Sequence, residues 1–246
     1  MEQKQKFPTE MVELPSRGLL YPKDSPLAEG KVEMKYMTAR EEDILTNQNY
    51  IQNGTVVDKL LQSLIVTPIN YGELLVGDKN AILIASRVLG YGKDYEFEYA
   101  GEKQVVDLSL LKHKDIDFKP LEKGENVFTY VMPTTGTNIT FKLLTHADEL
   151  AIEQEVKGMK KLNKDSSTEL SSRLKRVITS VEGNAEARDI REYVDNYLLA
   201  RDSRAFREHI RQIQPDVDLK FYPENGPDGG VDIPIGVTFL WPDAGV

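Results

Sequence analysis

The stretch GDKNAILIASRVLGYG, residues 77–92, constrains the fold of this chain more than any other part of the sequence. It predicts a helix with apolar side chains on nearly every side, and a helix of that kind is usually buried. Asp78 is expected to cap the first turn, and Gly90 and Gly92 are expected to end the helix. The face with i, i+3, i+4, i+7 spacing consists of Ala81, Ile84, Ala85 and Val88. We therefore expect the rest of the chain to pack around this helix.

Capping boxes mark the starts of other helices. In this motif a threonine and an acidic residue three positions later satisfy the free amides of the first helical turn. The motif predicts two short helices before the central one and a longer helix over 146–163. Further helices are predicted over 166–181, 186–199 and 202–214. The three capping pairs are Thr38 with Glu41, Thr55 with Asp58, and Thr145 with Asp148.

Alternating apolar and polar residues predict a strand over 31–37 and three β-hairpins. In the first hairpin, Gly101 and Glu102 are expected to form the turn. The predicted fold class is therefore α+β, with short helices around a buried central helix, three antiparallel β-hairpins and a C-terminal helical insertion. The hairpin strands are expected at 95–99 and 103–108, at 127–131 and 138–143, and at 217–222 and 231–241.

The order of these elements predicts three segments along the chain. Residues 1–30 form an extended N-terminal arm, because prolines and glycines interrupt any long helix there. Residues 31–119 contain the helical core and the first hairpin. Residues 120–246 contain a hairpin, the helical segment and the C-terminal hairpin.

The arm and the C-terminus carry candidate partner-binding residues. The apolar side chains of the arm must pack somewhere, either on the protein's own core or on another subunit. The single tryptophan, Trp241, lies near the end of the sequence, where burial by the protein itself is least assured. The candidate partner-binding residues are Leu14, Pro15, Leu19, Leu20, Tyr21 and Trp241.

The residue types argue against most catalytic and metal chemistry. The chain has no cysteine, which excludes disulfides, thiolate zinc sites and cysteine nucleophiles. Its histidines, His113, His146 and His209, lie in unrelated segments, and no Gly-x-Ser-x-Gly nucleophile motif is present. The glycines at 90–92 follow a helix instead of preceding one, so a phosphate-binding loop is not predicted. We expect no enzymatic activity, no metal site and no cofactor.

The charge and hydropathy of the chain indicate which partners to expect. Acidic residues outnumber basic ones by 40 to 31, giving a formal charge of −9 that argues against nucleic acid. No apolar run has the length of a membrane span, and the first residues lack the apolar core of a signal peptide. We therefore expect other proteins as partners, neither nucleic acid nor a membrane, and the site of synthesis as the site of action.

Five segments carry a resemblance to a known family. In chain order they are ELPSRGLLYP, KVEMKYMTAREEDILTN, GTVVDKLL, GDKNAILIASRVLGYG and VTFLWPD. Their order and spacing resemble the baseplate hub proteins of T-even-like contractile-tailed bacteriophages. The likeness is good over about residues 10–111, fair at 138–150 and in the C-terminal hairpin, and poor through the arginine-containing helices.

The family also has a feature that this chain lacks. In many relatives the turns of the first and last hairpins carry Cys-x-x-Cys pairs, as in zinc ribbons. The corresponding turns here, 100–103 and 223–230, contain no cysteine. The metal role of those relatives is therefore not expected in this protein.

The resemblance implies a structural or assembly protein of the tail baseplate hub that acts by protein–protein interaction. An alternative within the same family is a tail-assembly chaperone for the tape-measure protein, absent from the mature virion. A third hypothesis, from a different class, is a phage enzyme acting on cell wall or nucleic acid. Either of the first two implies partners among baseplate or tail proteins, the tape-measure protein included. Both place the protein in the host cytoplasm during assembly, and the hub role also places it in the virion tail baseplate.

Overall fold

Helix α4, Val76–Tyr91, lies in the interior of the protein, as its sequence predicts. Its buried side chains include Ile82, Leu83 and Ile84. The helix ends at Gly92, and the Arg87 guanidinium donates hydrogen bonds across that end to the carbonyl oxygens of Gly92 (2.6 Å) and Asp94 (3.0 Å). The helix terminus is thereby bonded to the first residue of the next strand.

The structure is a computed structural model that describes residues 8–122, 124–162, 168–223, 229–235 and 237–240.

The elements around α4 give a mixed α+β fold, which confirms the predicted class. The other helices are α1 (Ala39–Leu45), α2 (Gln48–Gln52), α3 (Val56–Leu64), α5 (His146–Leu162), α6 (Glu169–Val177), α7 (Ala187–Glu192), α8 (Ala200–Ile213) and α9 (Val237–Leu240). The strands are β1 (Thr9–Glu13), β2 (Lys31–Lys35), β3 (Asp94–Tyr99), β4 (Glu102–Asp107), β5 (Phe128–Val131), β6 (Asn138–Phe141), β7 (Ile178–Val181), β8 (Lys220–Phe221) and β9 (Val231–Asp232).

The strands form small antiparallel sheets, β1–β2, β3–β4, β5–β6–β7 and β8–β9. The first two predicted hairpins are confirmed as β3–β4 and β5–β6. In the first, the turn consists of Ala100 and Gly101 instead of Gly101 and Glu102. Both turn residues have positive φ, 53° and 82°, as a two-residue hairpin turn of the mirror-image type requires.

Two predicted elements have different ends in the structure. The helix predicted over 166–181 is α6, which ends at Val177, and β7 follows and pairs with β6. Its start at Ser166 lies outside the described residues. The β-branched residues after Val177 suit a strand, and pairing with β6 completes a three-stranded sheet. The strand predicted over 231–241 is also wrong in its later part, because β9 has two residues and 237–240 are helical.

Two of the three capping boxes form. Thr38 and Glu41 make the reciprocal bonds at the start of α1, and Thr145 and Asp148 make them at the start of α5. The third prediction is wrong, because Thr55 makes no side-chain capping bond and Asp58 bonds elsewhere. Glu41 also accepts hydrogen bonds from Lys35 and Ser63, each at 2.8 Å. Burial alone raises the pKa of Glu41, but the bonds from Lys35, Thr38 and Ser63 outweigh it and lower the pKa to about 2.

Most of the buried apolar side chains form one contiguous core, to which the buried Ile152 and Val156 of α5 do not belong. It extends from Leu14 in the arm through α4 to Leu240 in α9.

The helix predicted over 186–199 is α7 followed by a π-helical turn, Tyr193–Tyr197, and the one predicted over 202–214 is α8. Within the described residues, no helix has the length and apolar character needed to cross a membrane.

Candidate functional site

A buried hydrogen-bond network ties the arm to α4. Asp78 accepts hydrogen bonds from the Ser16 amide (2.9 Å), the Ser16 hydroxyl (2.6 Å) and the Tyr21 hydroxyl (2.6 Å). The prediction that Asp78 caps α4 is therefore wrong. The N-cap position is Leu75, which has no capping side chain, and its amide donates to the Tyr21 hydroxyl oxygen at 3.0 Å. The arm tyrosine thus satisfies an amide at the start of the helix.

A tight backbone turn positions Ser16 for these bonds. Arg17 and Gly18 both have positive φ, 54° and 77°. A Cβ at position 18 would lie 2.3 Å from the Ala28 carbonyl oxygen, so only glycine fits there. The Arg17 guanidinium lies 3.7 Å from the centre of the Phe118 ring, which holds the turn from its outer side.

The pKa values of Asp78 and Tyr21 in this network are both raised. Burial raises the pKa of Asp78 above its ordinary value, while hydrogen bonds from Ser16 and Tyr21 oppose that rise. Burial also raises the pKa of Tyr21, and the nearby Asp78 carboxylate raises it further. Tyr21 is therefore a stable hydrogen-bond donor at neutral pH. All three residues are buried, which fits a structural attachment of the arm to the core.

The predicted partner-binding residues are mostly inside the protein. Leu14, Pro15, Leu20 and Tyr21 are buried, and Leu19 is half-buried. Trp241 lies outside the described residues. The packing agrees with the alternative in which the arm lies on the protein's own core. Side chains buried to this extent are not on the surface that a rigidly docking partner would meet, and their contact with a partner stays a prediction.

A second polar cluster joins residues of α3, α4 and α5 with Tyr71, which lies shortly before α4. The Lys79 ammonium lies 2.6 Å from Asp58 Oδ1 and 3.1 Å from His146 Nδ1. Tyr71 donates to Asp58 Oδ1 at 3.0 Å, and its ring packs edge-on against the His146 ring at 4.7 Å. His146 Nε2 faces Asp58 Oδ2 at 3.5 Å. The sequence does not predict this cluster. Asp58 has the spacing of a capping residue, and no other histidine lies near His146 in the sequence to suggest a site.

The contacts of His146 indicate its protonation state. Burial lowers the pKa of His146, and the neighbouring Lys79 lowers it further. A neutral ring that accepts from Lys79 at Nδ1 carries its proton at Nε2, on the side of Asp58. The cluster therefore contains one ammonium, one carboxylate and a neutral imidazole. Its polar atoms are used within the cluster, an arrangement that stabilises the junction of α3, α4 and α5.

The cluster lies at one wall of a cavity of about 840 Å³, which Lys79 and His146 line. These side chains are of the types that perform acid–base chemistry. Within the described ranges, however, no group of three or more histidine, aspartate or glutamate side chains is arranged to hold a metal ion. The other two histidines lie elsewhere, His209 stacked on Tyr130 at 4.6 Å and His113 bridged to Val217. The acid–base side chains on this cavity wall are thus bonded to one another.

No protein-family model, no curated protein and no solved structure matches this chain.

Proposed function

We propose that this protein is a structural or assembly component of the tail baseplate hub of a contractile-tailed bacteriophage and acts by binding other proteins. The observation that carries the proposal is the bonding of two motif segments to each other. Ser16 and Tyr21, from ELPSRGLLYP, both donate to Asp78, from GDKNAILIASRVLGYG. The segments that resemble hub proteins therefore pack together in one unit. This supports a fold related to that of the hub proteins over a chance similarity of short sequence segments.

Other motif segments join the same unit. Asp58, from GTVVDKLL, bonds to Lys79 in the central motif at 2.6 Å. Glu42, from KVEMKYMTAREEDILTN, accepts from the Tyr91 hydroxyl at 3.3 Å. Each of the four motifs between residues 13 and 92 thus bonds to the helix α4 or belongs to it. The order of motifs along the chain corresponds to neighbouring positions in space.

The polar clusters also support a role that is not enzymatic. Both Asp78 and Asp58 direct their oxygens to donors within the protein. Acids whose oxygens are bonded to donors in other segments hold those segments together. The proposed partners are other baseplate or tail proteins, in the host cytoplasm during assembly and in the virion tail afterwards.

Disruption of the gene in the phage that carries it tests the proposal. We expect infected cells to accumulate tail components without complete baseplates, and expression of the intact chain from a plasmid to restore tails. Complete, infectious particles made without the protein would refute the assembly role. Mass spectrometry of purified virions then separates the two family alternatives, because a hub component is retained and a chaperone for the tape-measure protein is absent.

A further inference from the structure

A groove between α6 and α8 combines an apolar floor with a basic rim. Helix α6 contributes residues at i, i+3, i+4 and i+7, and α8 together with its C-cap residue, Gln214, does the same, so one face of α6 lies opposite one face of α8. On α6 these positions begin at Leu170, and on α8 they begin at Arg207. Leu170 is 47% exposed, a high value for a leucine beside a cavity. Leu170 therefore leaves apolar surface of the groove open to solvent and to a partner, while Leu174 and Val177 form its buried base.

The rim is positively charged although the whole chain is acidic. Among the described residues that line the groove, there are five cations and no carboxylate. The protein as a whole carries a formal charge of −9. Charge of the opposite sign gathered around one apolar groove is a feature of recognition sites for acidic ligands. The five cations are Lys114, Lys142, Arg173, Arg207 and Arg211.

The cations differ in how firmly they are paired. Lys142 and Arg173 bond at 2.8 Å and 2.6 Å to carboxylates on α5. Arg211 pairs with Glu208 on its own helix, and both side chains are at least half exposed. Exposed pairs of that kind contribute little and exchange readily. Among the described contacts, Arg207 donates only to the Ser203 carbonyl oxygen, at 3.3 Å. Lys114 faces Asp216 at 3.7 Å, and its side chain is only 33% exposed. Arg207 and Arg211, which are exposed, are thus the cations most available to a ligand.

The size and lining of the groove select among acidic ligands. Its volume is about 310 Å³, which holds one or two side chains and not a whole structural element. No aromatic side chain is among its described lining residues, so the groove offers the bases of a nucleic acid no aromatic ring to stack on. An apolar side chain flanked by carboxylates matches both the floor and the rim.

We propose that the groove between α6 and α8 binds an acidic amphipathic segment of a partner protein. An apolar side chain of that segment packs on Leu170 and Ile210, and flanking aspartate or glutamate side chains pair with Arg207 and Arg211. The inference stands on the groove itself. It does not require the protein to enter a baseplate, so either proposal can fail without the other.

Fluorescence anisotropy with the full chain and a labelled synthetic peptide tests this assignment. The probe is a peptide of about a dozen residues with leucines at helical i, i+3, i+4 spacing and glutamates elsewhere. We expect it to bind, with an affinity that falls as salt is raised. A peptide with lysines in place of the glutamates, and one with serines in place of the leucines, should not bind.

Matched variants locate the binding. Arg207→Glu with Arg211→Glu should weaken peptide binding about tenfold or more, because two opposite-charge contacts become repulsive. The control, Arg188→Glu with Arg191→Glu, makes the same charge change on exposed residues of α7 and should leave affinity unchanged. Leu170→Ser should weaken binding about tenfold through lost apolar contact, and the equally exposed Leu199→Ser should not.

Several results would overturn the assignment. One is that the acidic peptide does not bind below about 1 mM. Another is that the α7 control variant loses as much peptide affinity as the groove variant. A third is that the protein binds a thymidine oligonucleotide more tightly than the peptide. A concentration-dependent dimer that the Arg207→Glu, Arg211→Glu variant abolishes would show that a second copy of this chain occupies the groove. Unchanged melting temperatures in all variants exclude misfolding as the cause of lost binding.

Discussion

Ser16 bonds twice to Asp78, through its backbone amide at 2.9 Å and through its hydroxyl at 2.6 Å. This pair spans 62 positions of the sequence and lies in the interior. It fixes the arm on the first turn of α4, where Tyr21 adds a third bond. The energetics of the arm therefore depend on one acid in the central helix.

Asp78→Ala should destabilise the protein far more than the loss of a helix cap. The substitution leaves the Ser16 amide, the Ser16 hydroxyl and the Tyr21 hydroxyl without their acceptor in a buried place. We expect a loss of about 3 kcal/mol or more in the free energy of unfolding, measured by denaturant titration. Asp43→Ala, on an exposed residue of α1, is the control and should change stability by less than about 0.5 kcal/mol. Similar small effects of both would mean that the network contributes little.

Leu14→Ala should be strongly destabilising, because Leu14 is 1% exposed and belongs to the common core. A buried leucine truncated to alanine lowers the free energy of unfolding by about 2–5 kcal/mol. The same substitution at Leu110, which is 72% exposed, should have almost no effect. Thermal melting of both variants checks this. A wild-type melting temperature for Leu14→Ala would instead favour an arm that docks elsewhere.

The contribution of His146 and His209 to stability should fall as the pH is lowered from neutral through the range of histidine titration. Burial lowers the pKa of both His146 and His209, so the unfolded chain binds protons before the folded one does. The stabilisation is therefore complete above the ordinary histidine pKa of about 6.5 and is lost as the pH falls toward the folded pKa. His146→Gln and His209→Gln should each flatten the dependence of unfolding free energy on pH between about 7.5 and 5.5. An unaltered slope in the double variant would contradict the assignment.

Gly77→Ala and Gly158→Ala should act in opposite directions. A Cβ at position 77 would lie 1.9 Å from the Pro215 carbonyl oxygen, a backbone atom that cannot move aside easily. Position 158, in the middle of α5, has no atom within 4 Å of the same added carbon. We expect the first substitution to lower the melting temperature strongly. The second should raise stability by about 0.5–1 kcal/mol, because alanine is the better helix former. Comparable melting temperatures would show that the contact at 215 is loose.

Local sequence patterns were sufficient for the elements that local interactions decide. The apolar residues of α4 and the alternation in β3 and β4 predicted a buried helix and a hairpin, and both are present. Strand β7 was missed because it continues directly from α6 and its partner, β6, lies about 40 positions earlier. The periodic spacing of apolar residues within a helix or strand does not predict which distant strand it pairs with.

The polar sites were harder to predict, because their members come from separate segments. Asp78 has the type and position of a capping residue, and its actual donors come from the arm. His146 and Lys79 are 67 positions apart and meet only because α4 and α5 pack together. The groove between α6 and α8 likewise depends on how two helices face each other. Sequence periodicity identifies each helical face but not the face opposite it.

The close approach of Gly77 to Pro215 has a consequence for synthesis of the chain on the ribosome. Asn80, in the same turn of α4, bonds to Asp216, which is 136 positions later. At roughly 5–20 residues per second, translation of that interval takes on the order of ten seconds. The arm emerges before α4 and can attach to it at once, while the side of the helix that meets 215–216 stays open. The nascent chain therefore carries an unfinished core until the segment around 215–216 has been made.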